Sequence, residues 1–143
     1  MAATATANTL GLLDSVAARL DVRGGAGFNR FDLDDSGGSN ANEGTLAAGQ
    51  LSGLGMAAAI GFSEIDELKL TLGSGADRLR VFGTPAGRTT QVLMGEGADI
   101  LVAGDTAGAV KNGLNAIAGL LDVQGQGGGR AADQRPGQRR RCG

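Results

Sequence analysis

Apolar and polar residues alternate through the middle of the chain. Leu68, Leu70 and Leu72 are separated by Lys69 and Thr71, and Leu79 and Val81 are flanked by Arg78 and Arg80. A two-residue period predicts strands with one buried face. Between such runs a short motif recurs, Gly-x-Gly-x-Asp/Asn-x-apolar. Its copies begin at Gly25, Gly73 and Gly95, and a degenerate fourth begins at Gly125 and Gly127. The start-to-start spacings are 48, 22 and 30 residues. Glycine at these positions predicts bends that need φ > 0 without a Cβ clash. One stretch opposes an all-strand reading. Ser63 could cap a helix with Asp66 three residues on, but Gly73 and Gly75 would stop it, so a turn or short helical corner is expected there.

A larger repeat contains these small ones. At an offset of 101 residues Leu13 meets Leu114, Val16 meets Ile117, Asp21-Val22 meets Asp122-Val123, and Gly24 meets Gly125. The chain therefore holds one unit of about 101 residues and the start of another. Together these patterns predict an all-β fold, a parallel β-solenoid of the β-helix or β-roll kind with Gly-rich turns. The solenoid domain is expected over residues 10–129. Residues 1–9 are expected to be disordered or a partial strand, and 130–143 a basic disordered tail.

Composition narrows the function. The 143 residues include 27 Gly, four Phe, one Cys, and no His, Trp or Tyr. Without His there is no Ser-His-Asp or Cys-His nucleophile and no imidazole ligand. One Cys rules out an internal disulfide or multi-thiolate zinc site. So few large side chains suit the thin core of stacked repeats. The net charge of −2 conceals a split: residues 1–129 carry 8 basic and 14 acidic side chains, and 130–143 carry five Arg and one Asp. An acidic body and scarce aromatics argue against nucleic-acid binding. No apolar run reaches the ~18 residues of a membrane span, and the first twenty residues do not read as a signal peptide.

The motif copies GSGADRLRV (73–81) and GEGADILVA (95–103) resemble the hemolysin-type calcium-binding repeats of the repeats-in-toxin family. The copy GGAGFNRFD (24–32) has Asn29 where those repeats place Asp. More broadly, residues 20–38 and 53–77 look like the long repeats of large bacterial secreted or surface proteins. The resemblance covers most of residues 10–129. It implies a β-roll with calcium between turns, ligated here by Asp77, Asp99 and Asn29, and an extracellular or cell-surface location. Family nonapeptides follow one another in tandem, whereas these copies stand 22 or more residues apart. The alternative is that each Asp hydrogen-bonds its own turn backbone.

A second candidate ion loop runs from Asp32 to Glu43. Asp32, Asp34, Ser36 and Asn40 occupy positions 1, 3, 5 and 9 of a twelve-residue calcium loop, with Gly37 at position 6 and Glu43 at position 12. Ser39 and the Gly-rich approach do not fit an EF-hand, and a solvated turn leaving a strand over residues 29–33 is the alternative.

The leading functional expectation is a non-enzymatic structural and binding repeat module, ordered by calcium. Its partners would be neighbouring repeats of a longer chain, or other copies meeting through open solenoid ends, since neither terminus reads as a capping repeat. A gene fragment without independent function is one alternative, and part of a secreted carbohydrate-active β-helix enzyme is another.

The tail departs from the repeat. Residues 130–140 (RAADQRPGQRR) stand where the 101-residue offset calls for a match to NRFDLDDSGGS, residues 29–39. Suitable codons for residues 133–143, read one nucleotide later, give a sequence that resembles the lost strand and acidic turn, so a shifted frame is one reading and a genuine disordered basic tail with a binding role is the other. Sequencing the coding DNA tests this: a +1 frame without repeat-like sequence leaves a genuine basic tail.

Overall fold

The computed structural model describes residues 11–104 and 114–125. Among these there are ten strands, one 3-10 turn at Leu13–Ser15, and no α-helix. The strands are β1 (Leu20–Arg23), β2 (Arg30–Asp34), β3 (Glu43–Ala47), β4 (Gln50–Gly53) and β5 (Ile60–Ser63), then β6 (Glu67–Thr71), β7 (Arg78–Val81), β8 (Thr89–Leu93), β9 (Ile100–Ala103) and β10 (Leu120–Gln124). They form a six-stranded sheet, β1-β5-β4-β3-β7-β9, and a four-stranded sheet, β10-β8-β6-β2. The expected terminal segments 1–9 and 130–143 lie outside the described residues.

Most pairings are parallel. Arg30 pairs with Glu67, Glu67 with Thr89, and Thr89 with Leu120, so this sheet is rejoined after 37, 22 and 31 residues. In the other sheet Glu43 pairs with Arg78, and Arg78 with Ile100. The exception is β4, which runs antiparallel between β3 and β5.

The predicted alternation is realised. Leu68, Leu70, Leu79 and Val81 point inward and are at most 3% exposed. Lys69, Arg78 and Arg80 are only partly covered. Inward residues stack in columns across the sheet, Leu33 on Leu70 on Val92 and Phe31 on Leu68 on Thr90. Phe31 also meets Phe62 edge-on, with centroids 6.2 Å apart. The first column needs only medium-sized aliphatic side chains, and Phe31 and Phe62 are the aromatics that pack with the core, which suits a chain with few aromatics.

The stretch around Ser63 is a corner and contains no helix. Ser63 ends β5, Glu64 takes a left-handed φ of 58°, and Glu67 begins β6. The alternating apolar face of β6 is buried by strand pairing, which overrides the local capping signal.

The 101-residue repeat is preserved locally but changes sheet. Val16 donates to the Leu13 carbonyl (2.8 Å), and Ile117 donates to the Leu114 carbonyl (2.9 Å), so the same turn forms twice. The strands that follow diverge: β1 joins β5 in one sheet, and β10 joins β8 in the other.

On the N-terminal side the turn that leaves β2 is covered. Leu13 is buried, Gly37 donates to the Gly11 carbonyl, and Ala57 donates to the Val16 carbonyl. Residues 11–16 therefore lie as a strap across the turn that leaves β2.

The Gly-rich turns are packed more tightly than the bends predicted from sequence. A Cβ on Gly73 would meet the Gly38 carbonyl oxygen, and one on Gly95 would meet that of Gly73. Gly73 does not have a positive φ, so close backbone approach, not chain reversal, excludes a side chain there. Gly87, by contrast, has φ 72° and open space around its Cβ position. Gly73→Ala should cost about 2–4 kcal/mol in urea denaturation, and Gly87→Ala about 1 kcal/mol. Equal costs would contradict the stacking argument.

Candidate functional site

The turns leaving β2, β6 and β8 lie one above another. Their acidic residues are the best candidate site. Asp99 Oδ1 accepts the Asp77 N–H at 2.9 Å, and Asp77 Oδ1 accepts the Asn42 N–H at 3.0 Å. Each carboxylate thus reaches back to the backbone of the preceding turn. Asp77 also accepts a hydrogen bond from the Gly73 backbone of its own turn. Sequence reasoning anticipated own-turn bonds; the bonds between turns come from the stacking.

The same device extends to the strap. Asp34 Oδ2 accepts the Gly11 N–H at 3.1 Å, and its Oδ1 accepts the Ser36 N–H at 2.9 Å. Asp35 Oδ1 accepts the Leu13 N–H at 2.8 Å. Asp35 and Asp77 are 2% and 3% exposed. Desolvation pushes the Asp35 carboxyl above its ordinary range. The Leu13 N–H opposes that rise, and the charges of Asp14, Asp77 and Asp34 add to it. Desolvation likewise raises Asp77, opposed by the Asn42 N–H and reinforced by Asp99.

A second ladder occupies the opposite corner. Asp66 Oδ2 accepts the Asn29 N–H at 2.8 Å, and Asp66 Oδ1 accepts from Arg88 Nη1 at 2.7 Å. The Asn29 amide donates to the carbonyls of Gly25 (2.9 Å) and Gly27 (3.1 Å), tying down its own turn. Asn29 therefore stands at a different corner from Asp77 and Asp99.

The twelve residues from Asp32 to Glu43 do not wrap one point. Asp32 lies on β2, half-exposed and ion-paired to Arg30 at 2.9 Å. Glu43 begins β3, in the other sheet, opposite Arg78. Asn40 contributes its backbone carbonyl to the close approach of Gly75. Ser36 lines a shallow cleft of about 430 Å³ over the stacked turns, with Gly37, Leu72, Gly73, Ser74 and Glu96. Among the described residues no group of three or more His, Cys, Asp or Glu is arranged to hold a metal ion.

Sequence reasoning missed Asp35 and Asp66 as site residues. The signal for Asp66 was its interval: 37 residues from Asn29 and 22 from Arg88, matching the strand register of β2, β6 and β8. Asp35 gave no comparable signal, because its partner Leu13 is 22 residues away across a turn whose stacking only the fold defines.

No family model, curated protein or solved structure matches the chain. Among the described residues no helix is long and apolar enough to cross a membrane.

The raised carboxyls make a pH prediction. Protonation is favoured in the folded state, so this contribution is fully present below the ordinary carboxylate pKa and is lost as pH rises through the raised folded value. Asp35→Asn keeps an acceptor for Leu13 and removes the desolvated charge. It should raise the urea midpoint at pH 7, and the gain should shrink as pH falls toward 4. A gain that grows on acidification would contradict the desolvation account.

Proposed function

We propose that the chain is a structural and binding repeat module, built as a parallel β-solenoid and belonging to the kind of secreted or cell-surface repeat protein it resembles. One observation carries this reading. Gly73, Gly75 and Asp77 stand under Gly95, Gly97 and Asp99, each with its equivalent 22 residues on, in register with the flanking strands. A stack of this kind is extended by adding coils, and its outward faces are free to vary without disturbing the core. Its role is to span distance and present those faces, and it performs no reaction.

The coil is the unit, so duplicating it tests the module. Inserting a second copy of residues 67–88 after Arg88 should give a protein that still unfolds cooperatively and is at least as stable as the parent. The new segment presents the same ladder to both neighbours. Loss of cooperative unfolding would remove the solenoid reading.

The calcium that the resemblance implies belongs to this reading through Asp77 and Asp99, which stand on successive stacked turns. It should raise the thermal midpoint by the binding increment RT ln(1 + [Ca]/Kd), with magnesium giving a smaller effect. No shift at millimolar calcium would leave the module as a metal-independent stack.

A further inference from the structure

The outward side of β7 carries charge that the fold does not neutralise. Leu79 and Val81 fill the core, so strand alternation turns Arg78 and Arg80 to the opposite side. Among the described residues Arg19, Arg23, Arg30 and Arg88 are each ion-paired. Arg78 and Arg80 make no ion pair there, and Arg78 Nε is buried without a hydrogen-bond partner. Glu43 stands opposite Arg78 in register and is exposed, yet it too makes no ion pair among the described residues.

The register sets what flanks the two arginines. Arg80 lies between Thr45 and Val102, with Ser52 beyond Thr45, and Arg78 lies between Glu43 and Ile100. Two side chains on one strand face stand about 6–7 Å apart. Both arginines are only partly exposed, so their charge sits in a half-desolvated setting. An oxyanion is held more strongly there than by a fully solvated arginine.

We propose that this face binds the carboxylates of an acidic polysaccharide. The planar guanidinium fork matches a carboxylate, and two forks in line match charges repeated along a polymer. The face offers side chains alone, because the backbone of β7 is already paired to β3 and β9. An acidic peptide laid across it would find no backbone pairing. A sugar chain brings hydroxyls for Thr45 and Ser52, and ring C–H surface for Ile100 and Val102. The inference rests on the module reading and names what one outward face holds.

Titration calorimetry of the full chain with polygalacturonate reads this directly. Arg78→Gln with Arg80→Gln should weaken binding at least about tenfold and leave cooperative melting in place. Where that pair fails to melt cooperatively, Arg80→Gln alone should still weaken it several-fold. Glu43→Gln removes a competing carboxylate and should tighten binding about twofold. Arg30→Gln with Lys69→Gln takes the same charge from the outward side of the four-stranded sheet, and should leave affinity within about twofold. The same ratios should hold in chains whose five arginines at 130–143 are changed to Gln. Loss of all binding in those chains assigns the polymer to the tail and overturns the proposal. So does equal loss in the Arg30 and Lys69 pair, or neutral dextran, polyglutamate or duplex DNA binding as tightly as polygalacturonate. A cooperatively folded chain that binds no polygalacturonate overturns it and leaves the module reading standing. A chain without cooperative unfolding removes the module reading and this inference with it.

Discussion

Backbone lies directly on backbone where the Gly-rich turns stack, and the rest of the structure follows from that contact. The glycines at 73 and 95 leave no room for a Cβ between one turn and the next. Only at that separation can the Asp77 and Asp99 carboxylates reach the N–H groups of the preceding turn. A turn has backbone donors that no strand ladder satisfies, and leaving them buried and unpaired would cost about 1–3 kcal/mol each. One Asp per turn answers one such donor per turn. The strands to either side are then held in register, because a slip of one residue would break the carboxylate ladder and turn Leu70 and Val92 outward together.

The ladder has an electrostatic cost that depends on position. Asp32, paired with Arg30 on an exposed strand, is solvated and close to a cation. Asp35 and Asp77 are buried near other carboxylates and make no ion pair among the described residues, and each relies on a backbone N–H dipole in place of a full counter-charge. Asp66 is the better-supported case, since Arg88 reaches it from the next pass of the chain. The two corners therefore differ in kind. One is neutralised internally, and the other gathers Asp34, Asp35, Asp77 and Asp99, with no ion pair to them among the described residues.

The strand pattern was legible because it depends on a local property, alternation, which survives in any single stretch such as residues 68–72. The turns were legible as turns for the same reason. What could not be read was the reason for their glycines. A chain reversal and a close approach both select Gly, and only the stacking of Gly73 on Gly38 separates the two. The region around Asp66 shows the opposite failure: Ser63 and Asp66 form a plausible local cap, yet the non-local pairing of β6 with β2 and β8 decides the conformation. The twelve-residue calcium spacing depends on non-local placement in the same way. Spacing brings oxygens together only if the loop closes on itself, and here strand β2 carries Asp32 into one sheet and Glu43 begins a strand in the other.

The unequal returns show which part of the chain is constrained. The four-stranded sheet is rejoined after 37, 22 and 31 residues, yet Arg30, Glu67, Thr89 and Leu120 arrive in one column. If coil length were the fixed quantity, such variation would displace the register and the ladders with it. Instead the corners are held by the same hydrogen bonds, and the extra residues are absorbed between them. The antiparallel strand β4 is such an insertion: it leaves β3, pairs along β5, and returns the chain without disturbing Asp66 or Asp77. The 101-residue repeat is then a repeat of local segments and not of strand placement. This is how one turn can appear twice, with Leu13 buried beside two carboxylates and Leu114 exposed.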